Sequence, residues 1–267
     1  MPTITINGVT LYYELHGDGP EVLALNNGVI ASTGSWAYQL PALTPHFRVL
    51  LYDMRGQGRS GKWQPGMPDF TWEQHADDLA ALLDALDIPA AHIGGISYGG
   101  ELTLVFALRY PDRCKTLIVA DAVSQVDPYL QAVIESWIMA AATGDPEYFY
   151  RSTWFWNFSP AYFAARYDFL LSRIDAARAL DLPSVVQLCR CFNTLSITGE
   201  LSQIQKPTCV IVGDQDILKP PSYARLIADN IPGAELHILP EAGHASFWEQ
   251  PEAFNSVVLG FLHKSQL

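Results

Sequence analysis

Ser97 lies within the stretch GGISYGG, residues 94–100, where glycines flank it on both sides. The pattern Gly-x-Ser-x-Gly at the end of an apolar run predicts a strained turn from a strand into a helix, because Gly95 and Gly99 carry no Cβ that would collide there. Such a turn displays one hydroxyl above the sheet, and the helix that follows places the Tyr98 N–H where an oxyanion would form. A glycine-rich corner with an incidental serine is the structural alternative. In this context the pattern favours Ser97 as a nucleophile.

A serine nucleophile needs a base, and the base needs a group that orients it. Two later stretches, VGDQD and LPEAGHASF, each follow an apolar run and place Asp216 and His244 just beyond it. The carboxyl ends of parallel strands meet at one edge of a sheet, so we expect both side chains to lie near Ser97, in the chain order Ser, Asp, His. Asp121 and Asp214 stay open as alternatives for the acid. A histidine that only caps the following helix is the alternative for the base.

The elements that must position these groups form an alternating pattern of strands and helices. The N-terminal stretch alternates apolar and polar residues around Asn7-Gly8, which predicts a tight hairpin of two antiparallel strands. Short apolar runs further along predict strands buried on both faces of a parallel sheet, and helical patterns separate them, so the predicted class is α/β. The later strands are predicted over 21–26, 47–53, 90–96, 116–121, 208–214 and 235–240, and the helices over 36–44, 71–87, 99–110, 220–230 and 247–263.

Residues 124–200 break this alternation, because they contain no clear strand and are rich in aromatic side chains. We predict a helical cap here, inserted after the sixth strand and lying over the carboxyl edge of the sheet, with residues 1–123 and 201–267 forming the core. Packing of the cap onto the core accounts for most of these aromatic residues. The candidates for an apolar acyl or aryl pocket are Trp137, Trp154, Phe155 and Phe158.

Arginines of the cap bear on the charge of the substrate. If one of them faces Ser97, a substrate with a carboxylate is expected, whereas a neutral ester is expected if all of them face water. The sequence alone leaves this choice open. The arginines considered are Arg151, Arg166, Arg173 and Arg190.

Composition excludes several classes of function. With 267 residues, 49% of them hydrophobic and 16% charged, the chain has the balance of a soluble globular domain. The net charge of −12 and the scattered basic residues argue against nucleic acid or an anionic membrane as a partner. The N-terminus has neither the basic nor the apolar segment of a signal peptide, so we expect a cytoplasmic location. The spacing of the cysteines predicts reduced thiols and no metal site.

The stretch GISYG around Ser97, Asp216, the AGH motif that ends at His244 and the stretch DMRGQGRS together resemble the α/β-hydrolase fold family over nearly the whole chain outside the cap. The resemblance implies an eight-stranded, mostly parallel sheet flanked by helices, with a helical cap after strand six and a Ser-His-Asp triad. It also implies that the backbone N–H groups of Val29 and Tyr98 form the oxyanion hole. Many relatives have His-Gly where this chain has Asn-Gly at 27–28, which puts the usual contacts around the hole in question.

The resemblance also narrows the reaction. Members of the family that attack carbon with a carboxylate carry aspartate at the turn, so Ser97 points to acyl transfer. We expect a carboxylesterase or lactonase of the enol-lactonase-like branch, with a small ester or lactone as substrate and no metal or organic cofactor. A carbon-carbon bond hydrolase, a perhydrolase, a thioesterase and a non-catalytic signalling protein that binds a small ligand remain alternatives. Whether the chain forms a homodimer is left open by the sequence.

Overall fold

The computed structural model describes residues 2–265. Its strands are β1 (Thr3–Ile6), β2 (Val9–His16), β3 (Val22–Asn26), β4 (Arg48–Tyr52), β5 (Ala91–Ile96), β6 (Cys114–Ala120), β7 (Thr208–Gly213) and β8 (Glu235–Leu239). Within this range they form one eight-stranded sheet in the order β1-β2-β4-β3-β5-β6-β7-β8. β2 pairs antiparallel with β1 and β4, and the remaining neighbours pair parallel. The predicted mostly parallel sheet is confirmed.

The helices alternate with the strands as the α/β pattern predicts. Short 3₁₀ helices cover Thr33–Trp36, Pro111–Arg113, Trp154–Trp156 and Thr198–Gln203. The α-helices are α1 (Leu40–Leu43), α2 (Trp72–Ala85), α3 (Tyr98–Arg109), α4 (Pro128–Ala141), α5 (Pro146–Thr153), α6 (Pro160–Ala165), α7 (Tyr167–Ser172), α8 (Ile174–Ala177), α9 (Leu182–Phe192), α10 (Pro221–Asn230), α11 (Ser246–Glu249) and α12 (Pro251–Lys264). None of these helices is long and apolar enough to cross a membrane.

Two helix predictions were wrong in detail. The segment 36–44 contains the end of a 3₁₀ helix and the short α1, and the segment 247–263 is divided between α11 and α12. Pro251 explains the second division, because a residue before proline is driven out of the helical region and Gln250 has φ −128° and ψ 58°. The N-terminal hairpin follows its prediction, since Asn7 and Gly8 both have positive φ, 45° and 74°.

The core lies on both faces of the sheet. Every residue of β3, β5 and β7 is buried, as expected for parallel strands covered by helices on either side. Successive side chains of β3 alternate between two apolar clusters. Ala24 belongs to the cluster that includes residues of α2 and α3, whereas Leu23 and Leu25 belong to the cluster that includes residues of α12. This burial fixes the register of the central strands, and with it the positions of the loops that leave their carboxyl ends.

The segment between β6 and β7 contains α4 to α9 and no strand of the sheet. Its aromatic residues join the core clusters of the body, with Trp137 and Phe149 in one and Trp154 and Phe158 in the other. Buried apolar contacts therefore join this segment to both core clusters.

Candidate active site

The turn that carries Ser97 joins the end of β5 to the start of α3. Ser97 has φ 54° and ψ −122°, a conformation that a residue with a side chain rarely adopts and that costs about 1–3 kcal/mol. A Cβ at Gly95 would collide with the carbonyl of Gly99, and a Cβ at Gly99 would collide with the carbonyl of Asn26. The two glycines are thus required by backbone that passes very close to them, as the spacing predicts.

Three side chains from different strand ends form a continuous hydrogen-bonded chain. The Oγ of Ser97 lies 2.9 Å from Nε2 of His244, and Nδ1 of His244 lies 2.8 Å from Oδ2 of Asp216. The other carboxylate oxygen of Asp216 accepts the backbone N–H groups of Leu218 and Lys219. Asp216 and His244 are almost fully buried. The arrangement can take a proton from the serine while the acid holds the imidazole in one orientation.

The two alternative acids lie close by but have other partners. Asp121 accepts the N–H of Gly213 and the hydroxyl of Ser246. Burial raises the pKa of Asp121 well above its usual value, and the nearby charge of Asp216 raises it further. Asp214 is exposed, and its carboxylate accepts the N–H of Ala242. The structure therefore places Asp216, and not Asp121 or Asp214, against the imidazole.

Histidines elsewhere are placed for packing and not for proton transfer from Ser97. His75 lies in α2 with its ring against Phe70 and Tyr98, and burial lowers the pKa of this imidazole to about 3. His92, the second residue of β5, lies at the opposite edge of the sheet, where it contacts Thr116 and Glu21. Neither of these two rings is in hydrogen-bond contact with Ser97.

The predicted oxyanion donors are the N–H groups of Val29, after β3, and Tyr98, the first residue of α3. Within residues 2–265 neither N–H donates to another protein atom, although both residues flank Ser97. The side-chain amide of Gln57 holds the first of these loops, because Nε2 donates to the carbonyl oxygens of Gly28 and Val29 at 2.7 and 3.2 Å. An N–H pair left free beside a nucleophile can receive a developing oxyanion.

The side-chain amide of Asn27 ties the loop that carries Val29 to the body of the fold. Its Nδ2 donates to the carbonyl of Tyr52 at 2.8 Å, and its Oδ1 accepts the indole N–H of Trp36 at 2.9 Å. Sequence reasoning left the contacts of Asn27 in question and missed Gln57. The signal for Gln57 was available in the stretch DMRGQGRS, whose position after β4 brings it beside β3.

A cavity of about 430 Å³ opens onto the nucleophile. Ser97 and His244 form part of its wall together with Val29, so a bound carbonyl can reach the hydroxyl and the oxyanion donors together. Of the predicted pocket residues, three line it: Trp137, Trp154 and Phe158. This volume and the aromatic wall suit a small, partly apolar acyl or aryl group.

Phe155 is a correction to the predicted pocket. Its side chain is 46% exposed and packs beside Trp156, and it does not line the cavity. The reason is the 3₁₀ helix Trp154–Trp156, in which successive side chains are turned by about 120°, so that Trp154 faces inward while Phe155 faces solvent.

One of the considered arginines lines the cavity. Arg173 forms part of the wall, and within residues 2–265 no carboxylate pairs with its guanidinium. Arg151 is instead paired with Glu147 at 3.0 Å and lies over the ring of Trp154. The two remaining arginines, Arg166 and Arg190, do not line the cavity. Arg173 is thus placed to meet a negative group of a ligand that occupies the cavity.

Sequence reasoning also missed a buried ion pair behind the nucleophile. Nζ of Lys219 lies 3.2 Å from Oγ of Ser97 and 2.8 Å from Oε1 of Glu101. Lys219 is 4% exposed and Glu101 fully buried, and burial raises the pKa of Glu101 to about 7 although Lys219 opposes the shift. The signals were a lysine within the apolar stretch ILKPP and a glutamate within the apolar helix after the turn.

The cysteines are free and buried in the structure. Burial raises the pKa of each thiol to about 12, so these residues have the character of inert core cysteines. Across residues 2–265 no group of three or more His, Cys, Asp or Glu side chains is arranged to hold a metal ion.

The chain is similar in sequence to proteins that are named as hydrolases. A model of the alpha/beta hydrolase fold family matches residues 21–151. A protein of Caulobacter sp. (strain K31) with the name "Putative carbamate hydrolase RutD" is 31% identical over 283 aligned positions, which cover 98% of each chain. A protein of the same name from Stutzerimonas stutzeri (strain A1501) is 32% identical and is aligned over 94% of this chain and 96% of its own.

Two solved structures are similar over their whole length. An alpha/beta hydrolase enzyme, MGS-M2, from a Medee basin deep-sea metagenome library superposes with a TM-score of 0.92 at 30% identity, and the match covers 98% of this chain and 97% of that one. The enol-lactonase from Burkholderia xenovorans LB400 superposes with a TM-score of 0.90 at 27% identity, and covers 98% and 100%. The likeness includes the cap as well as the sheet, because hardly any of the chain lies outside it.

Proposed function

Because this chain belongs to the α/β-hydrolase fold family, we propose that it is a serine hydrolase that cleaves carboxylic esters or lactones through an acyl-enzyme. The observation that carries the proposal is the hydrogen-bonded chain of Ser97, His244 and Asp216 at the wall of the cavity. The similarity to an enol-lactonase supports the choice of oxygen esters. The cavity of about 430 Å³ supports a small molecule as the partner.

In the acylation step Oγ of Ser97 attacks the carbonyl carbon while its proton passes to Nε2 of His244. The carbonyl oxygen gains negative charge and is stabilised by the N–H groups of Val29 and Tyr98. His244 then gives the proton to the leaving alkoxide, so that the alcohol departs and the acyl group stays on the serine. Asp216 orients the imidazole and stabilises its charged form.

In the deacylation step a water molecule takes the place of the alcohol. Its proton passes to His244 as its oxygen bonds to the acyl carbon, and collapse of the intermediate breaks the bond to Oγ. The proton then returns from His244 to Ser97, and the carboxylic acid leaves. In a lactone the alcohol and the acid belong to one molecule, so a single hydroxy acid is released.

Carbamates are a second candidate class of substrate, and the names of the relatives from Caulobacter and Stutzerimonas favour it. The same attack on a carbamate would give a carbamoyl-enzyme. Its carbonyl is less reactive than that of an ester because the nitrogen lone pair is shared with it. Slow release of the carbamoyl group would therefore mark this alternative.

A substrate panel tests the proposed function. Aryl and alkyl esters of different acyl length, an enol-lactone, a thioester, a vinylogous diketone and an aryl carbamate are compared by kcat/KM. We expect an ester or the lactone to rank first and a phosphonate ester to label Ser97 in a peptide map. A carbamate or the diketone in first place, or an adduct on another residue, would replace the proposed reaction.

Arg173 supplies a prediction about substrate charge. Replacing it with methionine should lower kcat/KM for an aryl ester with a free carboxylate by about tenfold, because a charge-assisted hydrogen bond is lost from a partly exposed position. A neutral ester of the same length should change by less than about threefold. Initial rates with the two esters provide the measurement.

Arg166→Met is the matched control for this experiment, because Arg166 belongs to the same cap but does not line the cavity. It should leave the ratio of the two esters unchanged. Equal effects of Arg173→Met on both esters would show that the arginine does not bind the carboxylate of the substrate.

A further inference from the structure

Lys219 holds an unusual position for a lysine. It lies between β7 and α10 in the loop that carries Asp216, and it is 4% exposed. Its ammonium contacts the hydroxyl of Ser97, the carboxylate of Glu101 and the ring of Phe192, whose centroid is 4.8 Å from Nζ. The charge is thus enclosed by the turn of the nucleophile on one side and by α9 of the cap on the other.

A contribution to folding stability alone does not explain why the ion pair of Lys219 and Glu101 is buried at this position. Taking both charges out of water costs more than their attraction usually returns, and an apolar pair of similar volume would often serve the fold as well. The pair is also incompletely satisfied, because Oε2 of Glu101 has no hydrogen-bond partner within residues 2–265. Glu101 is nevertheless fixed, since its other oxygen accepts the N–H of Val123 at 2.8 Å as well as Lys219. The arrangement therefore places the ammonium of Lys219 against Oγ of Ser97.

The hydrogen-bond directions around Oγ are complementary. Ser97 donates its only hydroxyl proton to His244, so the lone pairs of Oγ are left to accept, and the ammonium of Lys219 has only donors to offer. When the proton moves to His244, Oγ gains negative charge next to the fixed and buried positive charge of Lys219. A charge-assisted hydrogen bond is strongest under these conditions.

We propose that Lys219 is a further catalytic residue, whose ammonium stabilises the charge on Oγ of Ser97 while the proton of that oxygen is on His244. The inference rests on the serine mechanism proposed above. Lys219 keeps its own protons throughout. During attack the O–H bond of Ser97 breaks and the bond from Oγ to carbon forms; during deacylation that bond breaks, its electron pair goes to Oγ, and the proton returns from His244.

Glu101 is a positioning residue in this scheme, because it holds Nζ and does not touch Oγ. The backbone contributes as well: the N–H of Lys219 donates to Asp216 at 2.7 Å while the side chain of Lys219 reaches Ser97. One short loop thereby places a negative group at the far end of the hydrogen-bonded chain and a positive group at its near end.

The test is the substitution Lys219→Met, which removes the charge and keeps most of the volume. We expect kcat/KM for a p-nitrophenyl ester and the second-order rate of inactivation by a phosphonate ester to fall together by about 10- to 100-fold. KM should change by less than about threefold, because the ammonium acts on the reacting oxygen and not on the cavity. Lys115→Met, at the opposite edge of the sheet, is the control and should change neither rate.

The pH profile separates a catalytic role from a structural one. The titratable groups around His244 are the carboxyls of Asp216, Asp121 and Glu249 and the ion pair of Lys219 with Glu101. Losing the ammonium leaves an imidazolium easier to form, so the acid limb of kcat/KM should move to higher pH in Lys219→Met. A lower rate with an unmoved acid limb would mean a structural role and would overturn the proposal.

A charge-balanced double variant guards against misfolding. Lys219→Met with Glu101→Gln removes both charges and keeps an acceptor for Val123. It should show the same loss of rate, with a smaller displacement of the limb because a negative charge is removed as well. Rates within about threefold of the wild type in either variant would also overturn the proposal. The phosphonate reaction keeps this test separate from the proposed function: wild-type protein that is labelled at Ser97 but hydrolyses no ester would fail the function and still measure the effect of Lys219.

Discussion

Replacing Ser97 or His244 with alanine should lower turnover of a p-nitrophenyl ester by about 10⁶-fold. Each substitution breaks the contact of 2.9 Å between Oγ and Nε2, so that either the nucleophile or its base is absent. The residues act as one unit, and the double variant should therefore be no slower than the slower single variant. The measurement is kcat with protein whose folding has been checked by thermal denaturation.

Matched controls exist for both residues. Ser152→Ala changes a serine of the cap whose hydroxyl bonds to a backbone carbonyl, and His237→Ala changes a half-exposed histidine of β8. Both should keep turnover within a few-fold of the wild type. A loss of less than tenfold in Ser97→Ala or His244→Ala would exclude the proposed nucleophile or base.

Asp216→Asn should lower kcat by about 10⁴-fold. The amide cannot replace the carboxylate opposite Nδ1 of His244, where the contact is 2.8 Å, so the imidazole is held in the wrong tautomer and its charged form loses stabilisation. Oδ1 of the asparagine can still accept the N–H groups of Leu218 and Lys219, which keeps the loop in place. Steady-state kinetics with the same ester provide the value.

Asp214→Asn is the matched control, because this neighbouring acid is exposed and accepts the N–H of Ala242 instead of contacting His244. It should have nearly wild-type kcat. Asp121→Asn gives a further comparison, since that carboxyl lies near Asp216 but bonds to Gly213 and Ser246. If Asp121→Asn caused the large loss and Asp216→Asn did not, the acid of the mechanism would have to be reassigned.

Local backbone requirements made the fold and the strained turn at Ser97 predictable. Gly95 and Gly99 are needed because carbonyl groups lie where a Cβ atom of any other residue would be. The two glycines in the sequence therefore indicate this requirement directly. The same holds for Asn7 and Gly8, which supply two positive φ angles. The order of the buried strands then brings His244 to the same edge of the sheet as Ser97.

The directions of side chains in irregular segments could not be predicted from the sequence. Trp154 and Phe155 are adjacent and chemically similar, and only the phase of a 3₁₀ helix decides that one lines the cavity while the other faces solvent. In the sequence, Lys219 looks like an ordinary loop lysine. Only the structure shows that its partner Glu101, 118 residues earlier, lies beside it. Contacts of this kind depend on tertiary packing, which no local pattern encodes.

The turn from Asp216 to Lys219 has a consequence for anyone who would re-engineer this enzyme. An inserted or deleted residue within these four positions would rotate one of the two side chains away from its target, whatever the new residue was. Pro220 and Pro221 follow at once and cannot absorb the change by extending the helix backwards. Grafts and loop exchanges on this side of the molecule must therefore begin beyond the prolines, in α10.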